Sequence, residues 1–409
     1  MNYAEAVQYL YSLGNEVLTA KLGLDRIRAL LEALGNPQRA ARWIHVAGTN
    51  GKGSTSAMIE AGLRASGLRT GLYISPHLIE PTERIQIAGH PVSQEQFAGA
   101  FQRVHETAER MLASGALDMH PTYFETVTAM AFLLFAAENV HTGVLEVGLG
   151  GRLDATNVVA PELCVITPID FDHQMFLGDT IEQIAAEKAG ILKPGVPAVF
   201  AEQRAEAERV LRAHSRGPFT SSRDWAVTDL AMDARGSRFR LRGVPITCPL
   251  AGEHQVENAR VAAIALTKLG ISPAGIAATR WPGRLEQVSA RPEILIDGAH
   301  NPAGVRALVA YIRRFYMGRR RIWIVYGALR DKAVAEMASM LFPLADRLIL
   351  TAPANARAMP PEDIPAPGAQ ITHSVAEAIG LLDGAAPEDV IFITGSLYLA
   401  GEARALLVK

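Results

Sequence analysis

The stretch Ala47-Gly48-Thr49-Asn50-Gly51-Lys52-Gly53-Ser54-Thr55 decides the fold of this chain. The apolar run Trp43-Ile44-His45-Val46 leads into it, and a helical pattern follows it from Ser54 to Ser66. A strand, a glycine-rich turn and a helix N-terminus form an anion site, because backbone N–H groups and the helix dipole favour a phosphate there. Lys52 adds a positive charge, and the hydroxyls after it can reach phosphate or a metal. The stretch therefore predicts a phosphate-binding loop.

This loop differs at one position from the standard nucleotide-binding motif G-x-x-x-x-G-K. Val46 stands where the first glycine of that motif would be. An ordinary glycine-rich turn is the alternative interpretation. The strand before the loop and the helix after it favour phosphate binding.

Composition and charge limit the classes of function. A chain of 409 residues is too long for one core, so two or three domains are expected. The formal net charge is −2, which gives no bulk field for nucleic acid or a membrane surface. The N-terminus lacks the features of a signal peptide, and the longest apolar run, 126–137, is shorter than the about 20 residues of a bilayer span. Cys164 and Cys248 lack metal-ligand spacing and suit free thiols. We therefore expect a cytoplasmic protein.

Apolar and amphipathic segments alternate along most of the chain, which predicts an α/β fold with a mostly parallel sheet. The first predicted domain covers residues 1–282, with a small antiparallel piece at 225–248. Pro and Gly then punctuate a predicted linker at 283–292. A second alternation, with strands at 294–297, 322–326, 347–351 and 390–394, predicts a smaller α/β domain at 293–409.

Polar side chains stand at the ends of successive predicted strands. Ser75 ends the second strand, Glu146 the third, and Asp170, Asp172 and His173 follow the fourth. Open parallel sheets bind ligands outside the carboxyl ends of their strands. Beside a phosphate loop, these side chains could hold Mg²⁺ against a triphosphate, although imidazole is an unusual Mg²⁺ ligand. Each also has a structural interpretation, as a turn cap, an ion-pair partner or a packed histidine.

Lys188 has an unusual place in its predicted helix. It shares an apolar face with Ile181 and Ile184, because the three residues are spaced by three and four positions. A lysine whose charge reaches solvent along that face is one interpretation. A lysine whose charge is altered or paired within the site is the other.

The motif Asp297-Gly298-Ala299-His300-Asn301-Pro302 ends the first strand of the second predicted domain. Its polar residues suit contacts to a ribose hydroxyl or a phosphate, and an N-cap by Asn301 is the structural alternative. Arg284 could reach a phosphate, or it could be a solvated arginine.

Several motifs, in this order, resemble those of the dihydrofolate synthase/folylpolyglutamate synthase family, which belongs to the Mur ligase superfamily. The resemblance covers nearly the whole chain. It is carried by the segments 45–54, Ser75-Pro76-His77-Leu78, 146–157, Asp172-His173, Glu187-Lys188-Ala189-Gly190-Ile191 and 297–302.

The resemblance implies a P-loop domain of Mur-ligase type followed by a Rossmann-like C-terminal domain. It implies an ATP-dependent ligase that adds L-glutamate to dihydropteroate and to folates through an acyl phosphate. ATP, two Mg²⁺ sites, room for a monovalent cation and a monomeric chain belong to the same expectation. The segment Gly151-Arg152-Leu153-Asp154-Ala155-Thr156-Asn157 resembles the bifunctional type.

The resemblance also implies roles for individual residues. Lys52, His173 and Lys188 would act in catalysis. ATP contacts would come from Thr49, Asn50, Gly51, Lys52, Gly53, Ser54, Asn258, Arg284, Asp297 and His300. Metal ligands would be Ser75, Glu146, His173 and Lys188, the last as an N6-carboxylated lysine. Folate or pteroate contacts would come from Lys21, Leu22, Gly23, Leu24, Thr122, Tyr123, Phe124, Glu125, Leu153, Asp154 and Ala155.

Three alternatives stay open from the sequence. A folylpolyglutamate synthase without the first activity fits the same motifs. Another Mur-type ligase for a cell-wall precursor is disfavoured, because the phosphate loop begins too early for a preceding domain. A GTPase-type switch predicts an Asn-Lys-x-Asp motif, which the sequence lacks.

Overall fold

The computed structural model describes residues 1–14 and 23–408. The chain divides into two compact units. The N-terminal unit comprises Met1–Thr228, Arg240–Ile246 and Glu257–Thr279, and the C-terminal unit comprises Asp229–Phe239, Thr247–Val256 and Arg280–Lys409.

The N-terminal unit is built on one sheet whose strand order is β4-β3-β2-β5-β1-β6-β7-β8. From β2 to β8 along this order the neighbouring strands run parallel, whereas β3 and β4 pair antiparallel at one edge. The mostly parallel sheet predicted from the sequence is therefore confirmed. The strands are β1 Arg42–Ala47, β2 Thr70–Tyr73, β3 Ile85–Ile87, β4 His90–Pro91, β5 Thr142–Glu146, β6 Leu163–Ile166, β7 Ala198–Phe200 and β8 Phe219–Ser221.

Strand β1 lies between β5 and β6, and this position places the phosphate loop. The register pairs Val46 with Glu146 on one side and with Val165 on the other. The central strands are buried along almost their whole length, which explains why they are continuous apolar runs. The chain segments that leave β1, β5 and β6 consequently start at the same edge of the sheet.

Helices cover this sheet and supply most of the apolar packing. Trp43 of β1 packs edge-on against Phe132, with ring centroids 5.2 Å apart, in a core that Phe97 and Phe101 also enter. Ser93 caps its helix in a capping box with Gln96, as its sequence predicts. The helices are α1 Tyr3–Ser12, α2 Asp25–Ala33, α3 Lys52–Ala65, α4 Gln94–Ala113, α5 Tyr123–Ala137, α6 Gln174–Leu177, α7 Ile181–Ala189 and α8 Ala205–His214.

Short strands occupy the region in which the sequence predicts a small antiparallel piece. They are β9 Val227–Asp233, β10 Gly236–Leu241 and β11 Val244–Cys248, and they form a separate sheet of order β11-β10-β9. Helix α9, Glu253–Lys268, follows them.

The C-terminal unit contains a second sheet, of order β12-β13-β17-β14-β15-β16. Only β12 is antiparallel to its neighbour among the strand pairs described for this sheet. This strand lies inside the stretch 283–292 that the sequence suggests is a linker, so that stretch contains a sheet strand. The strands are β12 Glu286–Ala290, β13 Glu293–Ile296, β14 Ile322–Tyr326, β15 Arg347–Leu350, β16 Gln370–Ile371 and β17 Val390–Thr394, and the helices are α10 Pro302–Phe315, α11 Val334–Leu341, α12 Val375–Gly380 and α13 Leu397–Leu407.

Two further sequence expectations concern the environment of the chain. Among residues 1–14 and 23–408, no helix has the length and apolar character needed to cross a membrane. Cys164 and Cys248 are both buried free thiols. Burial raises the pKa of the Cys164 thiol to about 12, so this sulfur stays protonated and behaves as a small apolar group.

Candidate active site

The phosphate loop joins β1 to α3, and two of its glycines are required by geometry. Gly51 is the N-cap of α3 at φ +84°, a left-handed conformation that glycine adopts without strain. A Cβ atom on Gly51 would lie 2.3 Å from Oδ1 of Asn258. Gly48, at φ +149°, leaves even less room, because a Cβ there would lie 1.8 Å from Oγ1 of Thr167. The loop backbone therefore packs directly against its neighbours.

Thr49 fastens this loop to the segment after β6. Its backbone N–H donates to the carbonyl of Pro168 at 3.0 Å, and its hydroxyl donates to the carbonyl of Asp170 at 2.9 Å. The bonding pattern of α3 begins with the Thr55 N–H donating to the Gly51 carbonyl at 2.9 Å. The N–H groups of the first turn, Lys52 to Ser54, therefore lie at the helix end, where no carbonyl of the helix can accept them. That turn is the part of the loop built to receive an anion.

Two lysines lie on consecutive carbonyls of this loop. Nζ of Lys188 donates to the Gly48 carbonyl at 2.7 Å, and Nζ of Lys52 donates to the Thr49 carbonyl at 3.2 Å. Lys188 is 4 % exposed. Burial, reinforced by the charge of Lys52, lowers the pKa of Lys188 to about 7, although Asp172 and Asp154 act in the opposite direction. The structure therefore favours the interpretation of Lys188 as a lysine of altered charge within the site.

Ser75 and Glu146 meet at the ends of two adjacent strands. The Ser75 N–H donates to Oε2 of Glu146 at 3.3 Å, and Glu146 is buried. The peptide bond between Ser75 and Pro76 is cis. A buried carboxylate beside a hydroxyl, at the strand edge next to the phosphate loop, offers the oxygen ligands that Mg²⁺ prefers.

His173 begins α6 in a left-handed conformation, with φ +51°. Asp172 supports this conformation, since its Oδ1 accepts the His173 N–H at 2.9 Å and lies 3.8 Å from Nε2 of the same residue. His173 follows β6, two places along the sheet from β5. The structure thus places the predicted metal ligands on the same edge of the sheet as the loop.

Asp154 organises the glycine-rich turn that follows β5. Its Oδ2 accepts the N–H groups of Gly148 and Leu149 at 3.0 and 2.9 Å, and its Oδ1 accepts both the N–H and the hydroxyl of Thr156. Burial raises the pKa of this carboxyl, and these hydrogen bonds oppose that shift. The carboxylate of this predicted substrate residue is therefore engaged by the backbone of its own turn and by Thr156.

Thr156 extends this network to the strand that precedes the phosphate loop. Its hydroxyl lies 2.8 Å from Nε2 of His45, a buried residue of β1. Burial lowers the pKa of His45 to about 3, so its imidazole is neutral at physiological pH.

The predicted substrate segment Thr122-Tyr123-Phe124-Glu125 starts helix α5. Thr122 caps the helix, and its own N–H donates to Oε2 of Glu125 at 2.8 Å. The same carboxylate oxygen accepts a hydrogen bond from Nε of Arg26 at 2.7 Å in a partly buried ion pair. Oε1 of Glu125 is buried and has no hydrogen-bond partner within residues 1–14 and 23–408. It is an acceptor available to a bound molecule.

The aromatic rings of Phe124 and Tyr123, in the first turn of α5, contact different neighbours. A Cβ on Gly148 would lie 2.6 Å from the Phe124 ring, so this glycine lets the ring approach the turn after β5. The Tyr123 ring stacks on Tyr11, with ring centroids 6.0 Å apart. The buried guanidinium of Arg84 lies over the Tyr123 ring, with Cζ 5.1 Å from the ring centroid.

Arg84 and Arg26 are site residues that the sequence analysis missed. Nε of Arg84 donates to Nδ1 of His77 at 2.8 Å. Burial, together with this arginine, lowers the pKa of His77 to about 3. The segment that the resemblance marks, Ser75-Pro76-His77-Leu78, is the signal that could have directed attention to this pair. Nothing local marks Arg26, because its partner lies 99 positions away.

The remaining predicted substrate residues lie around the start of α2. Leu24 is the N-cap of that helix and packs against the core, and a Cβ on Gly23 would meet open space. Lys21 and Leu22 lie outside the described residues.

The C-terminal unit brings Arg284, Asp297 and His300 together around Gly298. Asp297 is buried and accepts the N–H groups of Leu285 and Ala299 at 3.0 and 2.9 Å. Nδ1 of His300 lies 2.8 Å from the Gly298 carbonyl, and a Cβ on Gly298 would lie 2.4 Å from Nη1 of Arg284. Asn301 caps α10 as the structural alternative predicts.

Comparison with known proteins assigns this chain to a protein family. The model of the Mur ligase middle domain matches residues 46–266, and that of the Mur ligase, glutamate ligase domain matches residues 283–397. The chain is 37% identical to a folylpolyglutamate synthase of Lacticaseibacillus casei, over 100% of this chain and 99% of that protein. The chain belongs to the folylpolyglutamate synthase family of Mur ligases. It is also 36% identical to a dihydrofolate synthase/folylpolyglutamate synthase of Bacillus subtilis, over 98% of each chain.

Solved structures of this family share the fold of the chain throughout. A Mycobacterium tuberculosis folylpolyglutamate synthase complexed with ADP superimposes with a TM-score of 0.90 at 34% identity, over 99% of each chain. The E. coli FolC structure in complex with DHPP and ADP gives 0.87 at 29% identity, over 99% of this chain and 97% of that one. The family and the α/β fold class predicted from the sequence are confirmed. The roles of individual residues stay predictions.

Proposed function

We propose that this chain is an ATP-dependent ligase that adds L-glutamate both to dihydropteroate and to folates. The observation that carries the proposal is its full-length similarity to folylpolyglutamate and dihydrofolate synthases. Lys52 supports it, because its ammonium group lies on the Thr49 carbonyl and adds positive charge at the N-terminus of α3.

The proposed reaction forms an amide in two steps. A substrate carboxylate oxygen attacks the γ-phosphorus of ATP, ADP leaves, and an acyl phosphate results. The amine of L-glutamate then attacks the acyl carbon, phosphate leaves, and the nitrogen loses a proton. Such a reaction needs alignment and neutralisation of charge more than a protein nucleophile. Lys52 and the first N–H groups of α3 would bind the phosphates.

Lys188 would act in a carboxylated form. Because its pKa lies near 7, a large fraction of the amine is neutral at physiological pH and can attack CO₂. The product is a carbamate, and one proton is released. A buried carbamate would exchange a costly cation for an anion that Lys52 can pair with.

Ser75, Glu146 and His173 would hold one Mg²⁺, and the carboxylated Lys188 would face a second. The donors fit, since Glu146 is a buried carboxylate next to the Ser75 backbone. Bound Mg²⁺ supplies neutralisation of the β- and γ-phosphate charge. A monovalent cation, a monomeric state and a cytoplasmic location stay predictions.

The folate or pteroate would lie against the start of α5. The atom of this segment that we expect to contact the substrate is Oε1 of Glu125, a buried acceptor. The other carboxylate oxygen, Oε2, accepts hydrogen bonds from Arg26 and from the Thr122 N–H. A ring N–H of the substrate would satisfy it. Leu153 and Ala155, which flank Asp154 in the chain, would supply apolar contacts.

The deciding experiment measures ADP release by the purified chain with ATP, Mg²⁺ and L-glutamate, first with dihydropteroate and then with tetrahydrofolate. We expect release in both reactions and none without L-glutamate. Release with tetrahydrofolate alone would identify a folylpolyglutamate synthase without the first activity, which the Lacticaseibacillus casei relative makes the second candidate. Release with neither substrate would refute the proposal.

A further inference from the structure

A cluster of metal-ligating side chains lies away from the phosphate loop, on the surface of α4. His105, Glu109 and His120 each offer one ligand atom, and these atoms all lie within 4.8 Å of one another. His105 and Glu109 are four positions apart on α4, so both project from one face of that helix. His120 comes from the segment that enters α5.

The separations within the cluster suit a single small ion. Oε1 of Glu109 lies 3.7 Å from Nδ1 of His105 and 3.2 Å from Nε2 of His120. Tetrahedral zinc with ligand bonds of about 2.0 to 2.1 Å places neighbouring ligand atoms about 3.3 Å apart. The ligand nitrogens of the two histidines lie within 4.8 Å of each other, so closing the site takes side-chain movements of up to about 1.5 Å.

The ring nitrogens are oriented as metal ligation requires. Nδ1 of His120 lies 3.2 Å from the Pro121 carbonyl, which can only accept, so this nitrogen carries the proton and Nε2 faces Glu109. A carbonyl behind a histidine is the usual support of a metal-bound imidazole. Nδ1 of His105 is buried and has no hydrogen-bond partner among residues 1–14 and 23–408. Stacking on Phe101, at 5.6 Å and 9°, fixes the plane of its ring.

We propose that His105, Glu109 and His120 bind a zinc ion that fastens helix α4 to the segment entering α5. Two imidazoles and one carboxylate are a donor set for Zn²⁺ and not for Mg²⁺, which prefers oxygen ligands. The Glu109 side chain is 52% exposed, so the ion can enter from solvent and keep a water as its fourth ligand. The hydroxyl of Tyr9, 3.3 Å from Nε2 of His120, supplies a further oxygen at this point. The proposal is independent of the catalysed reaction.

Zinc titration of the chelator-treated chain, followed by calorimetry, tests the proposal. Millimolar Mg²⁺ is present throughout, so that sites of oxygen ligands are occupied. We expect one Zn²⁺ per chain, with binding at least about tenfold weaker in His120→Gln and in Glu109→Gln. His214→Gln is the matched control, because His214 is exposed at the end of α8, and it should bind as tightly as the unaltered chain.

Two further measurements keep the test decisive. Circular dichroism establishes that each variant is folded, and Glu109→Gln serves if His120→Gln is not, since Glu109 is half exposed. Co²⁺ in place of Zn²⁺ should give the visible absorption of a tetrahedral site, which both variants lose. Absence of saturable Zn²⁺ binding, or equal affinity in the two variants and the unaltered chain, would overturn the proposal and leave only a hydrogen-bonded cluster.

Discussion

Replacement of Lys188 by methionine should make the folded chain more stable. Burial lowers the pKa of this lysine from 10.5 to about 7. One pKa unit corresponds to about 1.36 kcal/mol. Folding therefore raises the free energy of the ammonium form, relative to that of the neutral amine, by roughly 5 kcal/mol. Lys188→Met removes that cost and loses the hydrogen bond to the Gly48 carbonyl, worth about 1 to 2 kcal/mol. We therefore expect the free energy of unfolding at pH 7 to rise by roughly 3 kcal/mol.

The same reasoning fixes the dependence on pH. Between pH 7 and 10.5 the unfolded chain binds the Lys188 proton and the folded chain releases it, so this residue makes stability rise with pH. Its penalty is fully present below about pH 7 and is relieved as the pH approaches 10.5. The stability gap between Lys188→Met and the unaltered chain should consequently shrink by roughly 2 kcal/mol from pH 7 to pH 9.

Urea unfolding at the two pH values, in buffers free of CO₂, measures this gap. Lys268→Met is the matched control, because Lys268 is an exposed lysine at the end of α9, and its substitution should change the stability little. A Lys188→Met chain that is less stable than the unaltered one at pH 7, or a gap that does not change with pH, refutes the reasoning. ADP release by the same variant should be lost, since its side chain cannot be carboxylated.

Three further predictions concern the loop and the two networks beside it. Lys52→Ala should lower the rate of ADP release by about 10² to 10³-fold, because the ammonium group that would neutralise the phosphates is lost. The circular dichroism spectrum should be unchanged, because the substitution removes no contact in the core. Glu125→Gln should cost roughly 3 kcal/mol in urea unfolding, because a neutral amide replaces the buried carboxylate that pairs with the partly buried Arg26. Thr156→Val should cost about 2 kcal/mol in the same assay, because it removes hydroxyl bonds to the buried side chains of Asp154 and His45.

Each of these has a result that would contradict it. A near-normal rate in Lys52→Ala would remove the phosphate-loop interpretation. Substitution of Asp25, which forms an exposed pair with Arg28, is the control for Glu125→Gln and should leave stability unchanged. An equal loss of unfolding free energy from both substitutions would show that the Arg26–Glu125 pair stabilises the fold no more than the exposed Arg28–Asp25 pair does. A Thr156→Val chain as stable as the unaltered one would show that Asp154 finds other donors.

Local patterns in the sequence were sufficient for most of the fold. The four strands predicted in the C-terminal unit are present as β13, β14, β15 and β17, because each is a buried apolar run. The edge strand β12 was not predicted, since its residues are half-buried or exposed and lack an apolar signature. It pairs with β13 across Arg291 and Pro292, so β12, which lies within the stretch that the sequence analysis assigned to a linker, forms a hairpin with β13.

The residues of the candidate site also fall into those that the sequence could indicate and those that it could not. Residues that sit at strand ends, such as Glu146 and Asp297, could be found from position alone. Arg26 could not, because its partner Glu125 lies 99 positions away along the chain and only the fold brings the two together. Lys188 is intermediate: its helical spacing marked it as unusual, and only the contact of Nζ with the Gly48 carbonyl decides between a solvated and an altered lysine.

The glycine missing from the standard motif has a physical explanation in the sheet. Val46 is fully buried and pairs with both β5 and β6, so at this position β1 is still a central strand, where a β-branched side chain packs better than glycine. The close approach that the first glycine would permit is shifted to Gly48, which contacts Thr167 after β6. The carbonyls of Gly48 and Thr49 each accept a hydrogen bond from a lysine Nζ, that of Lys188 and that of Lys52. Substitution of Gly48 should therefore move its carbonyl away from Thr167 and weaken the hydrogen bond that this carbonyl accepts from the buried Lys188.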